Sequence, residues 1–220
     1  MSSRQEEKEQ RKQERLEREA AAAAAAKRKR LVQLVGGVVV ACAIVAGVVF
    51  AVSRGGGDEV DNAALASDAK AAGCVYKSFP SEGREHSAKK LTAADFKTNP
   101  PTSGEHNPTP AADGIYAAGN EPEIANWVHT LEHGRILLQY KPKTPAPVIA
   151  QLTTLFNEDV EGSGGAYHSV LMQNNSKMTA QVAAVAWTHS MTCSEFTPKA
   201  IDAMRKFRTA LVDKGPEIVP

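Results

Sequence analysis

The chain has 220 residues, a formal net charge of +1, 42% hydrophobic residues and only 5% aromatic residues. That length allows one ordinary domain with appendages. The balanced charge excludes a whole-chain nucleic-acid binder, and three cysteines are too few for a disulfide-dense miniature scaffold.

The averages conceal three regions of different composition. Residues 1–30 carry ten basic and six acidic side chains, a net of +4, against −3 for the rest of the chain. This segment has the unbroken run Ala20–Ala26, the tetrabasic Lys27-Arg28-Lys29-Arg30 and Leu16 as its one large apolar residue. It cannot build a core. Alanine propensity and the Glu7/Arg11 and Glu14/Arg18 spacings predict a solvated, charged cytoplasmic helix.

Leu31–Val52 holds no charge over 22 residues, and Gln33 is its one strongly polar side chain. At about 1.5 Å per residue this matches a hydrocarbon core of about 30 Å, and a transmembrane helix is expected over residues 31–52. The basic flank places the N-terminus in the cytoplasm and the C-terminal part outside, as a single-pass protein of the cell membrane. Two processing alternatives compete with retention: cleavage near Val49-Phe50-Ala51, and a lipoprotein-like signal with Cys42 acylated. The small-residue pairs Gly37/Ala41 and Ala43/Gly47 would serve a homodimer through this helix. The bilayer lipid is one expected partner, an envelope or metal-delivery protein another, and nucleic acid is not expected.

Residues 53–73 are glycine-rich, then acidic and alanine-rich, without periodicity, and read as a flexible linker. Residues 74–220 then form the exported domain. Five prolines fall in 80–113, and the stretch from Asn99 to Pro108 is an irregular loop on turn chemistry. A short strand is expected at Ile115 and Tyr116. Glu121–His133 follows as an amphipathic helix, because Ile124, Trp127, Val128 and Leu131 recur at helical spacing. Asn120 is its expected N-cap and Gly134 its C′ residue, with a hairpin turning at Glu132-His133-Gly134 as the competing reading. Arg135–Tyr140 reads as a strand. A helix opened by Pro145 or Pro147 carries Val148, Leu152, Leu155 and Phe156, and Gly162–Gly165 breaks it. Ser169–Gln173 and Gln181–Thr188 are two more strands, and Thr197 caps a last helix with Pro198 at N1 and Ile201, Met204 and Leu211 inward. The fold class expected is α+β, a single exported domain with helices packed on one small sheet.

Cys74 and Cys193 are the two cysteines of the exported region, and an oxidising compartment favours their pairing. Two separate buried thiols are the bland alternative.

All six histidines, His86, His106, His129, His133, His168 and His189, fall in this domain. On a helix, His129 and His133 at i, i+4 share a face, the spacing that lets two imidazoles hold one metal ion. His106 and His86 stand in loops upstream, which suits them as further ligands. The alternative is two solvated histidines beside a core stripe. His129-Thr130-Leu131-Glu132-His133 also fits the H-x-x-E-H pattern of inverted zincins, in which Glu132 would activate a zinc-bound water. That fold needs a longer helix and a distant third ligand. Glu132 with Arg135 is alternatively a local ion pair. Met172, Met178 and Met191 would complete a soft copper(I) site or fill core space. Ser103 beside His106 has no oriented base and carries no nucleophile reading.

Two blocks together resemble a known family. Pro100-Pro101-Thr102-Ser103-Gly104-Glu105-His106, followed by Gly114-Ile115-Tyr116, and then Val128-His129-Thr130-Leu131-Glu132-His133-Gly134 with Tyr140, are similar to domain of unknown function 3105. His86, Ala186-Trp187 and Cys193 fit the same pattern, over roughly residues 72–218. The family usually has proline where Glu105 stands, and a Met-Pro where this chain has Met178-Thr179. The resemblance implies a bacterial membrane-anchored envelope protein and makes the histidine blocks its signature, without an activity. The resulting expectation is copper or zinc held by His106, His129 and His133, with His86, and Glu132 behind them. An envelope scaffold without chemistry, and a hydrolase using Glu132 or a histidine, are the alternatives.

Overall fold

The run Ile-Leu-Leu-Gln-Tyr at 136–140 is buried along its whole length, which requires cover on both faces of its sheet. The computed structural model describes residues 60–217 and 219. The charged segment 1–30, the span 31–52 with Cys42 and the small-residue pairs, and residues 53–59 lie outside them. Among the described residues no helix is long and apolar enough to cross a membrane.

The described chain is α+β, with α1 at Asn62–Ala71, β1 at Cys74–Ser78, β2 at Gly114–Ile115, α2 at Ile124–Glu132, β3 at Ile136–Tyr140, α3 at Ala146–Asn157, β4 at Ser169–Gln173, β5 at Val182–Ala186, β6 at His189–Cys193 and α4 at Pro198–Leu211. The six strands lie in the order β1-β6-β5-β3-β4-β2. β3 pairs parallel with β4 through the α3 crossover and antiparallel with β5. β1 and the two-residue β2 form the edges.

The period-2 alternation along β3 sends Ile136, Leu138 and Tyr140 into one core and Leu137 into the other. The first core takes Leu65 and Ala69 of α1, Leu152, Leu155 and Phe156 of α3, and Met204, Phe207 and Leu211 of α4. The second is filled by Ile124, Trp127, Val128 and Leu131 of α2, lying on Val170, Met172, Ala183 and Val185. Helices therefore cover both faces of the sheet, and α2 is the one α-helix on its side among the described residues.

Most elements fall where periodicity put them. α2 is a helix and not a hairpin, but it starts after Pro122, with Glu123 as N-cap in place of Asn120. A residue before proline is held out of the helical region, which delays the start. Gly134 follows at φ 78°, and a Cβ there would stand 2.7 Å from the Asp213 backbone, so glycine is needed twice over. Thr197 does cap α4, accepting from the Ala200 amide at 3.2 Å, with Pro198 behind it. Ile201 is only half-buried, and Phe207 takes the inner place.

Three elements depart from expectation. Residues 62–71 of the expected linker are α1, capped by Asp61 and docked through Leu65 and Ala69. Its alanines carry high helix propensity, and their small side chains hide the apolar stripe. The strand expected to end at Thr188 stops at Ala186, and a hairpin turns at Trp187-Thr188 into β6. Thr188 takes φ 59° there, a conformation that the usual turn residues Asn and Gly would have advertised. β1 pairs with β6 in a register that sets Cys74 opposite Cys193. Those two cysteines are bonded, with their Cα atoms 4.3 Å apart and 119 positions between them.

Candidate metal centre

His129 and Glu132 stand three residues apart on α2 and so share one helix face. This face lies opposite the sheet, yet it is not solvated. The segments 82–87 and 104–111 lie over it as a third layer. Backbone bonds hold these segments together: the Gly104 amide donates to Gly83 O at 3.2 Å, His106 N to Glu85 O at 3.0 Å and Ser87 N to His106 O at 2.7 Å. The result is a single parallel bridge that sets His86 beside His106. The same loop is tied to α2 where the amides of Asn107 and Ala111 donate to the Ala125 and Asn126 carbonyls, both at 3.1 Å. Ser103 is buried and accepts from the Glu82 amide at 3.0 Å, a structural task.

His86, His106 and His129 form a near-equilateral triangle, with ring centroids 4.8, 4.7 and 4.8 Å apart. Each buried imidazole is oriented by its Nδ1. That of His106 lies 2.7 Å from Gly104 O, and that of His129 lies 2.6 Å from Asn107 O. A carbonyl only accepts, so both Nδ1 atoms carry the proton and both Nε2 atoms keep the lone pair. Glu132 closes the group. Its Oε2 stands 2.9 Å from His106 Nε2 and 3.6 Å from His86 Nε2, and its Oε1 lies 3.7 Å from Arg84 Nε.

His106 is fully buried, Glu132 is 3% exposed and His129 4%. A carboxylate so placed needs strong partners. Yet His106 Nε2 and Glu132 Oε2, though 2.9 Å apart, make no hydrogen bond with each other or with any other group among the described residues. The two buried atoms are therefore close together without a hydrogen bond between them. One donor atom from each of His86, His106, His129 and Glu132 lies within 4.8 Å of all the others. Three imidazoles and one carboxylate are a four-donor set that zinc and copper(II) accept, and the residues fit such an ion.

His133 lies beside His129, with ring centroids 4.5 Å apart, and its Nε2 is 3.5 Å from Glu217 Oε2. It belongs with His129 and Glu217 to a second group of close donors and not to the four-donor set. Burial pushes His129 below the usual histidine range, against the Asn107 carbonyl and helped by the positive potential of His133, His106 and His86. Burial also lowers His133, opposed by Glu217 and reinforced by Arg135. Both shifts favour the neutral imidazole, the form that binds metal.

Other expectations come apart here. Glu132 faces Arg84, His86 and His106, while Arg135 reaches Asp113 at 3.5 Å and donates to the carbonyls of His133 and Val219. Met172 and Met178 fill the core under α2 and Met191 fills the other core, so the copper(I)-methionine site is absent among the described residues. In H-x-x-E-H the two histidines should be joint ligands and the glutamate a free base. Here Glu132 is grouped with the histidine triangle and His133 is not. His168 is bonded to Asp213 and His189 to the Trp187 carbonyl, away from the triangle. From the sequence, Glu132 stands behind the ligands, as a general base or in a local ion pair, but not among the ligands; the i, i+3 spacing from His129 was the signal for more. Arg84 and Glu217 carried no signal, because loop closure alone brings them in.

Residues 87–218 match the family described as "Protein of unknown function (DUF3105)". The match opens directly after His86, so His86 and Cys74 lie ahead of it. No curated protein and no solved structure matches the chain.

Proposed function

The chain belongs to the DUF3105 family, whose description carries no activity, and from the site itself we propose that the domain binds one divalent zinc or copper ion through His86, His106, His129 and Glu132. The observation that carries this is the buried pair His106 Nε2 and Glu132 Oε2, at 2.9 Å without hydrogen-bond geometry, converging with two further imidazoles. A bound cation would repay the desolvation of Glu132 and use the lone pairs that the Gly104 and Asn107 carbonyls leave free. The donor set has no sulfur, which supports a borderline divalent ion over copper(I). His86 is the one ligand open to solvent, its side chain 47% exposed, and it would gate exchange.

The setting of this activity is the cell surface. The uncharged stretch 31–52 with its basic N-terminal flank supports a single-pass anchor with the domain outside. The Cys74–Cys193 disulfide supports an oxidising compartment. Sequestration, or delivery to an envelope partner, is the role that suits an anchored binder.

A metal-free scaffold is the competing reading, and one observation favours it. Arg84 lies 3.7 Å from Glu132 and would balance its charge without an ion. The test is metal content and titration of the full chain purified in detergent without chelator. Zinc or copper should copurify or titrate at one ion per chain, and His106→Ala with His129→Ala should abolish it. Wild-type binding no stronger than that of the double variant would end the metal reading.

A further inference from the structure

The buried four-donor set does not use His133, and nothing in it explains why the chain's last described segment lies so close to the end of α2. The Asp213 amide donates to Gly134 O at 2.9 Å, and the Glu217 amide to Glu132 O at 3.2 Å. A Cβ on Gly215 would stand 2.2 Å from Glu132 O, so the backbones meet with no room for a side chain. This close docking holds the Glu217 carboxylate over His133, 3.5 Å from its Nε2. His133 is mostly covered, with its side chain 13% exposed, whereas Glu217 is 47% exposed. His129, His133 and Glu217 each offer one donor atom within 4.8 Å of the others.

His129 is common to both groups, and its Nδ1 is committed to the Asn107 carbonyl at 2.6 Å. Only one lone pair, on Nε2, is left to serve either set. One lone pair holds one ion, so the two groups cannot be filled through His129 at the same time. The outer set has three donors and an exposed carboxylate; the inner set has four donors and three buried side chains.

We propose that His129, His133 and Glu217 form an outer zinc or copper(II) station that passes a single ion to and from the buried set by exchange at His129. The ion binds first at Glu217 and His133, where water still reaches it. It then exchanges those two ligands for His106, His86 and Glu132 while His129 stays bound. This rests on the metal-binding reading of the buried set, and it assigns to the segment 213–217 the task of setting exchange rate rather than affinity.

The test uses the full chain in detergent with zinc alone as the probe. Stoichiometry is read by equilibrium dialysis, and uptake and release by stopped flow against a chromophoric chelator. Wild type should bind one ion. Glu217→Gln and His133→Ala should keep that ion with affinity within about threefold, but take it up and release it about tenfold more slowly, the size of effect that groups around a metal produce. His106→Ala should leave weak binding of one ion, and adding Glu217→Gln to it should remove that remaining binding. Two ions on the wild type, or unchanged rates in both outer variants with one ion bound, would overturn the station and leave the buried site standing. No ion on the wild type would overturn both. Glu217→Gln changes an exposed side chain, so a folding defect in His133→Ala does not blur the result.

Discussion

Replacing Glu132 by glutamine separates a metal centre from a charge knot, because the two arrangements give opposite signs. The amide keeps the shape of the side chain and removes its charge. In the metal-free protein, Glu132 is 3% exposed and its Oε2 has no aligned hydrogen bond. Removing that charge relieves desolvation, so the metal-free variant should melt no lower than wild type. Zinc at a hundred times its dissociation constant stabilises the wild type by about 2.7 kcal/mol. For a domain of this size, each kcal/mol moves the midpoint by about 2–4 °C, a shift of about 5–11 °C. Loss of the carboxylate should weaken binding about a hundredfold, the upper end of what even indirect partners contribute. The same zinc concentration then stabilises the variant by only about 0.4 kcal/mol, a shift of about 1–2 °C. Trp127 and Trp187 are both buried beneath the site, and the His106 ring meets the Trp187 ring edge-on with centroids 6.1 Å apart, so tryptophan fluorescence during heating reports the transition. If Glu132 instead knits protonated histidines and Arg84 together, Glu132→Gln breaks a buried pair and costs the metal-free protein about 3–5 kcal/mol. A metal-free midpoint that falls accordingly, with a zinc shift equal to wild type, would refute the reasoning.

Three further outcomes follow from the same structure. Reducing the Cys74–Cys193 bond, which closes 119 positions, should lower stability by about 4–5 kcal/mol on the chain-entropy account; denaturant titration with and without reductant measures it, and a difference near zero would contradict it. Arg208 is buried and donates to Leu155 O at 2.7 Å and Glu158 O at 3.0 Å, closing the C-terminal end of α3. Arg208→Ala leaves both carbonyls without this donor and should cost about 2–4 kcal/mol in equilibrium unfolding, whereas a loss below about 0.5 kcal/mol would show that α3 needs no such cap. Burial lowers the folded-state affinity of His129, His133 and His189 for protons, so below the unfolded histidine value of 6.5 the unfolded chain binds more protons than the folded one. Stability of the metal-free protein is therefore full above that value and is lost as pH falls through it, and unfolding free energies between about pH 7.5 and 5.5 should decline. A flat profile would mean that these rings titrate alike in both states.

The legible parts of the fold were those with strong local signals. The Ile124/Trp127/Val128/Leu131 stripe announced α2, the β3 and β4 runs announced themselves, and Thr197-Pro198 marked the start of α4. What escaped was decided by partners far away in the chain. β1 and β6 mix polar and apolar residues, and they are strands because each finds a neighbour in the sheet. α1 looked like a linker because its buried positions are mostly alanine and leucine, too small a stripe to stand out until β1 and α4 cover it.

The candidate site divides in the same way. His129 and Glu132 lie within one helical turn, so their common face follows from local geometry. His86 and His106 lie twenty positions apart, and their meeting depends on backbone bonds between two loops that carry no repeating pattern. The i, i+4 spacing did put His133 beside His129, but helix geometry does not say which side of a ring a third ligand approaches from. The overlying loops set His86 and His106 against His129 and Glu132, and the docked segment sets Glu217 against His129 and His133.

The sequence by itself determined the charge division of +4 and −3 about an uncharged stretch, the histidine inventory and the helical stripe under α2, because each is a matter of composition or of local period. The tertiary structure alone decided which histidines meet, that a glutamate closes their triangle, and that Cys74 faces Cys193. Those contacts depend on how loops close over α2 and on how strands pair across the sheet, and neither leaves a period in the chain.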